Sequence, residues 1–262
     1  MLFEIVIFGR GQQMKEDTLQ KYNRLFWDKA TEFDTSIDHI LRKIIHSYSV
    51  AEKCFIVACK LGLDKHQREF CYLMGLFHDI GRFKQWTLYQ TYVDNVSINH
   101  GFLGAEMLEK FVDIFGLTQR ENEILVGAIK YHASEYDGDD KDIVFFRDIL
   151  MDCDAWANVI TTANGIQPMF YSLDGVTKEL LDDFLAMKPL GQYVAKTKLD
   201  GALLRASGAY SIKLDFIRRE VLDKKYLDCI CETFSTYLNE KDKAIYKQAM
   251  ETLKAKYLTQ KV

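Results

Sequence analysis

The chain has 262 residues, 48% hydrophobic and 27% charged, the profile of a globular protein, which excludes a mainly disordered chain. No apolar run approaches the roughly 18 residues a membrane span needs, so a transmembrane protein is excluded. With 34 basic against 38 acidic residues the formal charge is −4, which leaves no bulk basic field for nucleic acid, only room for a local patch.

Met1 to Gly9 contains the apolar run Leu2–Phe8. It is shorter than most signal-peptide cores, and no basic residue precedes it, so it reads as a loose extension or short strand before a start near Met14. Only Pro168 and Pro189 occur, and proline is what helix interiors exclude most strongly, so long helices are favoured. A helix is expected over Asp34–Gly62, where Val50, Cys54, Val57 and Leu61 share a face. Asp64 is a natural N-cap for a helix running to about Ile80, with Phe70, Leu73, Met74 and Phe77 inward and Gly81 placed to end it. From Arg82 to Asn99 the helical pattern fails, and a long ordered loop is expected, a kind of segment that is often functional. Helix resumes at His100–Phe115, at Thr118–His132 and, after the polar turn Asp137–Asp140, from about Lys141 to Ile160. The remainder alternates helical patterns with glycine-bearing turns.

Cys54, Cys59, Cys71, Cys153, Cys229 and Cys231 mostly sit inside apolar patterns, and the last pair lacks CxxC spacing. All six read as reduced and structural, which suits a cytoplasmic protein.

Four of the six histidines fall on apolar helical faces. His46 lies one turn before Val50, and His78 follows Met74 and Phe70 at i+4 and i+8. His100 precedes Gly104, Met107, Leu108 and Phe111, and His132 follows Leu125, Ala128 and Ile129. A lone histidine in such a place is more often a hydrogen-bonded core residue. Four within about 90 residues, each needing a polar partner, are satisfied together by a shared metal. Asp79 directly follows His78, and Asp154 shares a face with Phe146 and Leu150. Asp152 lies on another face and is the weaker choice. Phe145, Phe146, Trp156, Phe170 and Tyr171 read as core. Glu52 and His66 read as surface residues, and His39 as structural.

With His46, His78-Asp79 and Asp154 in this order, and His100 and His132 between, the chain resembles the HD-domain superfamily of metal-dependent phosphohydrolases. The segment HDIGRFKQWTLYQTYVDNVSINH is similar to a bacterial subgroup with the two extra histidines of a dinuclear site. The likeness spans roughly residues 34–160. Two features depart from relatives: Tyr131-His132 replaces a His-His pair, and the Gly-Tyr-Pro signature of cyclic-dinucleotide phosphodiesterases is missing.

The resemblance implies an all-α HD-type bundle. Residues 1–33 would be an extension and first helix, 34–160 the metal-binding core, and 161–262 a C-terminal helical region packed on it without a clear separate domain. It implies a phosphohydrolase that cleaves a small phosphate ester or nucleotide with metal-activated water. His46, His78, Asp79 and Asp154 would hold one divalent ion and His100 and His132 a second, bridged by Asp79. Mixed nitrogen and oxygen ligands suit iron, manganese, cobalt or nickel. Asp79 and Arg82 would carry the chemistry, and Arg82, Lys84, Tyr92 and Asp94 would contact substrate. The competing account of Arg82 and Lys84 is a solvated helix end. Alternative functions are a non-catalytic nucleotide-sensing module and a diiron oxygenase. The expected partner is a small phosphorylated molecule, with neither membrane nor nucleic acid, and a homodimer is one option.

Overall fold

The computed structural model describes residues 14, 16–165 and 173–259. The apolar run near Met1, Pro168, Phe170 and Tyr171 lie outside the described residues. The described residues are all-α, with no strand among them. The chain forms two compact units, Met1–Cys153 and Asp154–Val262.

The first unit runs α1 (Glu16–Ala30), α2 (Asp38–Lys60), α3 (Lys65–Phe77), α4 (Ile80–Tyr89), α5 (His100–Leu108), α6 (Gln119–Tyr131) and the first part of α7 (Lys141–Ala163), with short 3-10 turns at Asp94–Val96 and Val112–Phe115. Its core is aromatic: Phe26 meets Phe77 edge-on at 5.4 Å, and Phe77 meets Phe115 at 4.9 Å. The inward stripe of α2 is Ile40, Ile44, Val50, Cys54 and Val57, all buried. Leu61, expected on that stripe, falls just past the helix end and is exposed.

Capping matches the sequence signals. Asp64 and Gln67 form a reciprocal capping box on α3, and Thr118 and Glu121 form another on α6. Asp140 accepts from the backbone N–H groups of Asp142 and Ile143 at the start of α7.

Four expectations are corrected, one of them the helix over His100–Phe115, which ends at Leu108 and is followed by a separate 3-10 turn at Val112–Phe115. The helix begun at Asp64 stops at Phe77, and Arg82 to Tyr89 is helix rather than loop. The buried face of α4 includes Gln85, whose amide is fully enclosed, and this polar residue in an inward position breaks the apolar period. Gly81 therefore lies inside α4 and ends nothing. A Cβ there would stand 2.2 Å from the His100 carbonyl oxygen and 2.6 Å from the Gly104 nitrogen, so glycine is what lets α4 and α5 touch.

The second unit holds the rest of α7, then α8 (Lys178–Leu185), α9 (Lys198–Ser207), α10 (Asp215–Asp223), α11 (Tyr226–Ser235) and α12 (Glu240–Thr259). Asp200 is fully buried there, accepting from Thr177 and from the backbone of Lys196 and Thr197. Those bonds make it a clamp on the chain before α8 and α9.

Candidate metal centre

His78 is the C-cap of α3 and Asp79 the N-cap of α4. Successive residues within one helix diverge by about 100°. The break between the two helices, with Asp79 at φ −103° and ψ 17°, lets both side chains serve one place. His46 arrives from α2, His100 from the start of α5 and His132 from the C-cap of α6. The two carboxylate oxygens of Asp79 divide the imidazoles. Oδ2 faces Nε2 of His78 at 3.4 Å and of His46 at 3.8 Å. Oδ1 faces Nε2 of His100 at 3.4 Å and of His132 at 3.9 Å. Two ligand triads result, His46–His78–Asp79 and Asp79–His100–His132, each with its donor atoms within 4.8 Å of one another.

The far side of three imidazoles is occupied. Nδ1 of His78 donates to the Gly75 carbonyl at 2.7 Å, and Nδ1 of His132 to the Ile129 carbonyl at 2.6 Å. Nδ1 of His100 donates to Asp94 Oδ2 at 2.7 Å. A carbonyl or carboxylate can only accept, so each ring carries its proton on Nδ1 and, when neutral, turns an Nε2 lone pair inward. His100 and His132 bring those lone pairs to 3.0 Å. Burial and the nearby Arg82 charge lower the His100 pKa, which disfavours a shared imidazolium proton. Lone pairs and an ionised carboxylate packed this closely repel unless a cation lies among them, so the donor set fits a divalent metal.

The cluster is dry. His78, Asp79, His100 and His132 are all at most 5% exposed. Burial opposes ionisation of Asp79, but Lys43, His78 and Arg82 outweigh it and hold the carboxyl well below its usual range.

Asp94, a substrate-contact candidate, faces inward, Oδ2 to His100 and Oδ1 to Arg82 Nη1 at 2.8 Å and Gln85 Nε2 at 2.9 Å. Burial would raise its pKa, yet His100, Arg82 and Gln85 bring it down to about 2, so it is an ionised orienting group. Arg82 stands beside the site, Nε 3.5 Å from Asp79 Oδ1. Its Nη1 is committed to Gln85, Asp94 and the Tyr92 carbonyl, so the guanidinium braces the 90–99 segment. Lys84 is turned roughly 200° round α4 from Arg82. Its charge is felt by Glu106 on α5. The Tyr92 hydroxyl donates to the His39 carbonyl at 2.9 Å, and burial, then the Asp79 charge, raises its pKa. His39 stacks on Trp86 at 3.7 Å, and exposed His66 bonds Glu121.

Asp154 stands half-buried on the unbroken helix α7, one turn beyond Leu150, with Asn158 donating to its Oδ1 at 2.9 Å. Asp152, on another face, is buried. Sequence reasoning missed Lys43 and Gln85. Lys43 Nζ is 2.5 Å from Asp79 Oδ2, and its position three residues before His46 on one helical face was the available signal.

Residues 44–164 match the family model described as HD domain, a span that holds all six proposed ligands. Searches of curated proteins and of solved structures found no match.

Proposed function

Residues 44–164 of this chain are an HD domain, and from that premise we propose that the protein is a metal-dependent phosphohydrolase acting on a small phosphate ester, with nucleotides as the leading class. One observation carries the reading: four imidazole Nε2 atoms approach the two oxygens of a single buried aspartate, two to each oxygen. This arrangement supports two ions, His46, His78 and Asp79 holding one and Asp79, His100 and His132 the other. The family resemblance would add Asp154 to the first set. Iron, manganese, cobalt and nickel suit the donors.

Bound divalent ions supply two things, a water whose pKa falls from 15.7 to about 7 and positive charge for the phosphoryl oxygens. The chain's own residues do the rest. The Gly75 and Ile129 carbonyls and Asp94 hold the imidazoles in register. Arg82 keeps the 90–99 segment folded against that edge while adding a fixed positive charge 3.5 Å from Asp79. Tyr92 lines the same edge. The six free cysteines support a cytoplasmic location.

The test is elemental analysis of the purified chain, followed by phosphate release from a broad panel of phosphomonoesters, phosphodiesters and nucleotides with each metal. Turnover that Asp79→Ala abolishes is expected. No hydrolysis by metal-loaded protein overturns the proposal. If nucleotides then raise the melting temperature, the chain is a sensing module instead. Oxygen consumption with iron would assign an oxygenase.

A further inference from the structure

Lys43 and His46 rise from the same face of α2, one turn apart. The Lys43 ammonium sits 2.5 Å from Asp79 Oδ2, the same oxygen that His46 and His78 approach. A cation held by the His46–His78–Asp79 triad must use that oxygen, so metal and ammonium compete for one place. The lysine side chain is 20% exposed and lies 5.6 Å from the Tyr92 ring centroid, with the Arg82 guanidinium carbon 5.6 Å from the same ring. Arg82 is held by three acceptors, whereas lysine swings a point charge on a flexible four-carbon stem. The residue able to move between Asp79 and the Tyr92 edge is therefore Lys43.

We propose that Lys43 is a displaceable counter-ion of Asp79, which yields Oδ2 to a metal and then binds the anionic phosphoryl group of the substrate beside Tyr92. No bond is made or broken in this exchange; one positive charge replaces another on the carboxylate, and the freed ammonium meets a new anion. The inference rests on the metal-dependent reading above and adds a residue that couples metal loading to anion recognition.

The experiment uses the full chain, stripped by chelation, and titrates Mn²⁺ and then inorganic phosphate by calorimetry. Wild type, Lys43→Met, Lys43→Gln and Lys43→Arg are compared, the glutamine variant standing in if the methionine variant folds poorly. Lys43→Met and Lys43→Gln should bind Mn²⁺ about tenfold more tightly than wild type, because a competing charge is gone. The Mn²⁺-loaded forms should bind phosphate about tenfold more weakly. Lys43→Arg should keep phosphate affinity near wild type. Unchanged Mn²⁺ affinity in the neutral variants, or unchanged phosphate affinity in their loaded forms, overturns this inference alone. A wild type that binds no Mn²⁺ overturns the metal reading and this inference with it.

Discussion

Asp94 grips His100 from behind: its Oδ2 lies 2.7 Å from Nδ1 while the Nε2 of the same ring faces Asp79 at 3.4 Å. The carboxylate thereby sets which ring nitrogen carries the proton and which is offered inward. Partners of this kind typically contribute 10–100-fold to metal affinity or activity. Asp94→Ala should lose metal affinity in that range, measured by titration of stripped protein. Asp94→Asn keeps an acceptor and should lose less. Equal metal binding by the alanine variant and wild type would show that His100 needs no such support.

Gly81 sets the spacing of α4 and α5. An alanine methyl would fall 2.2 Å from the His100 carbonyl oxygen, and both atoms it would strike nearest are backbone. Overpacking costs typically 1–3 kcal/mol, and a backbone neighbour cannot rotate away, so Gly81→Ala should cost about 3 kcal/mol, at the upper end of that range. The same shift moves His100 off Asp79, so metal affinity should fall with the melting temperature. Gly208→Ala is the control, since a Cβ there meets nothing within 4 Å. A denaturant melt of both variants checks the pair, with only the first expected to move.

Gln85 carries the segment that presents Asp94. Its Oε1 accepts from Arg82, and its Nε2 donates to Asp94 Oδ1, Ser97 Oγ and the Ile98 carbonyl, all between 2.8 and 2.9 Å. Gln85→Leu fits the space but strands those half-buried acceptors, at a cost of about 1 kcal/mol, the low end of the range for a lost partner. Stability should drop by that amount in urea unfolding, and hydrogen exchange over residues 90–99 should quicken more than elsewhere. Uniform exchange would mean that the segment is held by other contacts.

The contrast between Gln85 and the histidines shows what the sequence could reveal. His46, His78, His100 and His132 stand in stripes that are otherwise apolar, so their inward direction was readable from period alone, and Asp64 was readable as an N-cap from its residue type. Helix α4 was not readable, because an enclosed glutamine takes an inward place where the pattern asks for an apolar side chain. Lys43 carries one sequence signal, its place one turn before His46, but its partner Asp79 comes from a different helix and is not readable from that position. Asp94 is a loop acid in sequence, and only the tertiary approach of α5 turns it toward His100. Gly81 reads as a helix stop, since local sequence says nothing of the second backbone against it.

Away from the cluster, Asp140 caps α7 and pairs with both Arg120 guanidinium nitrogens at 2.7 and 2.8 Å. The Arg120 hydrogen bonds, helped by the Ile143 N–H, bring its carboxyl down to about 2. Its unfolded value is about 3.9. A folded value below the unfolded one means that the charged form favours folding. That contribution is whole above about pH 4 and fades as pH falls through about 2. Asp140→Asn keeps an acceptor for the cap but removes the charge. The variant should melt below wild type at pH 6, and the gap should close between about pH 4 and 2, because wild type alone loses something there. Raising the salt should narrow the pH 6 gap, since the Arg120 side chain is 47% exposed. Comparing the two proteins at each pH cancels any shared change at the histidine cluster. A gap that stays constant down to pH 2 would show that the carboxylate charge does not stabilise this helix end.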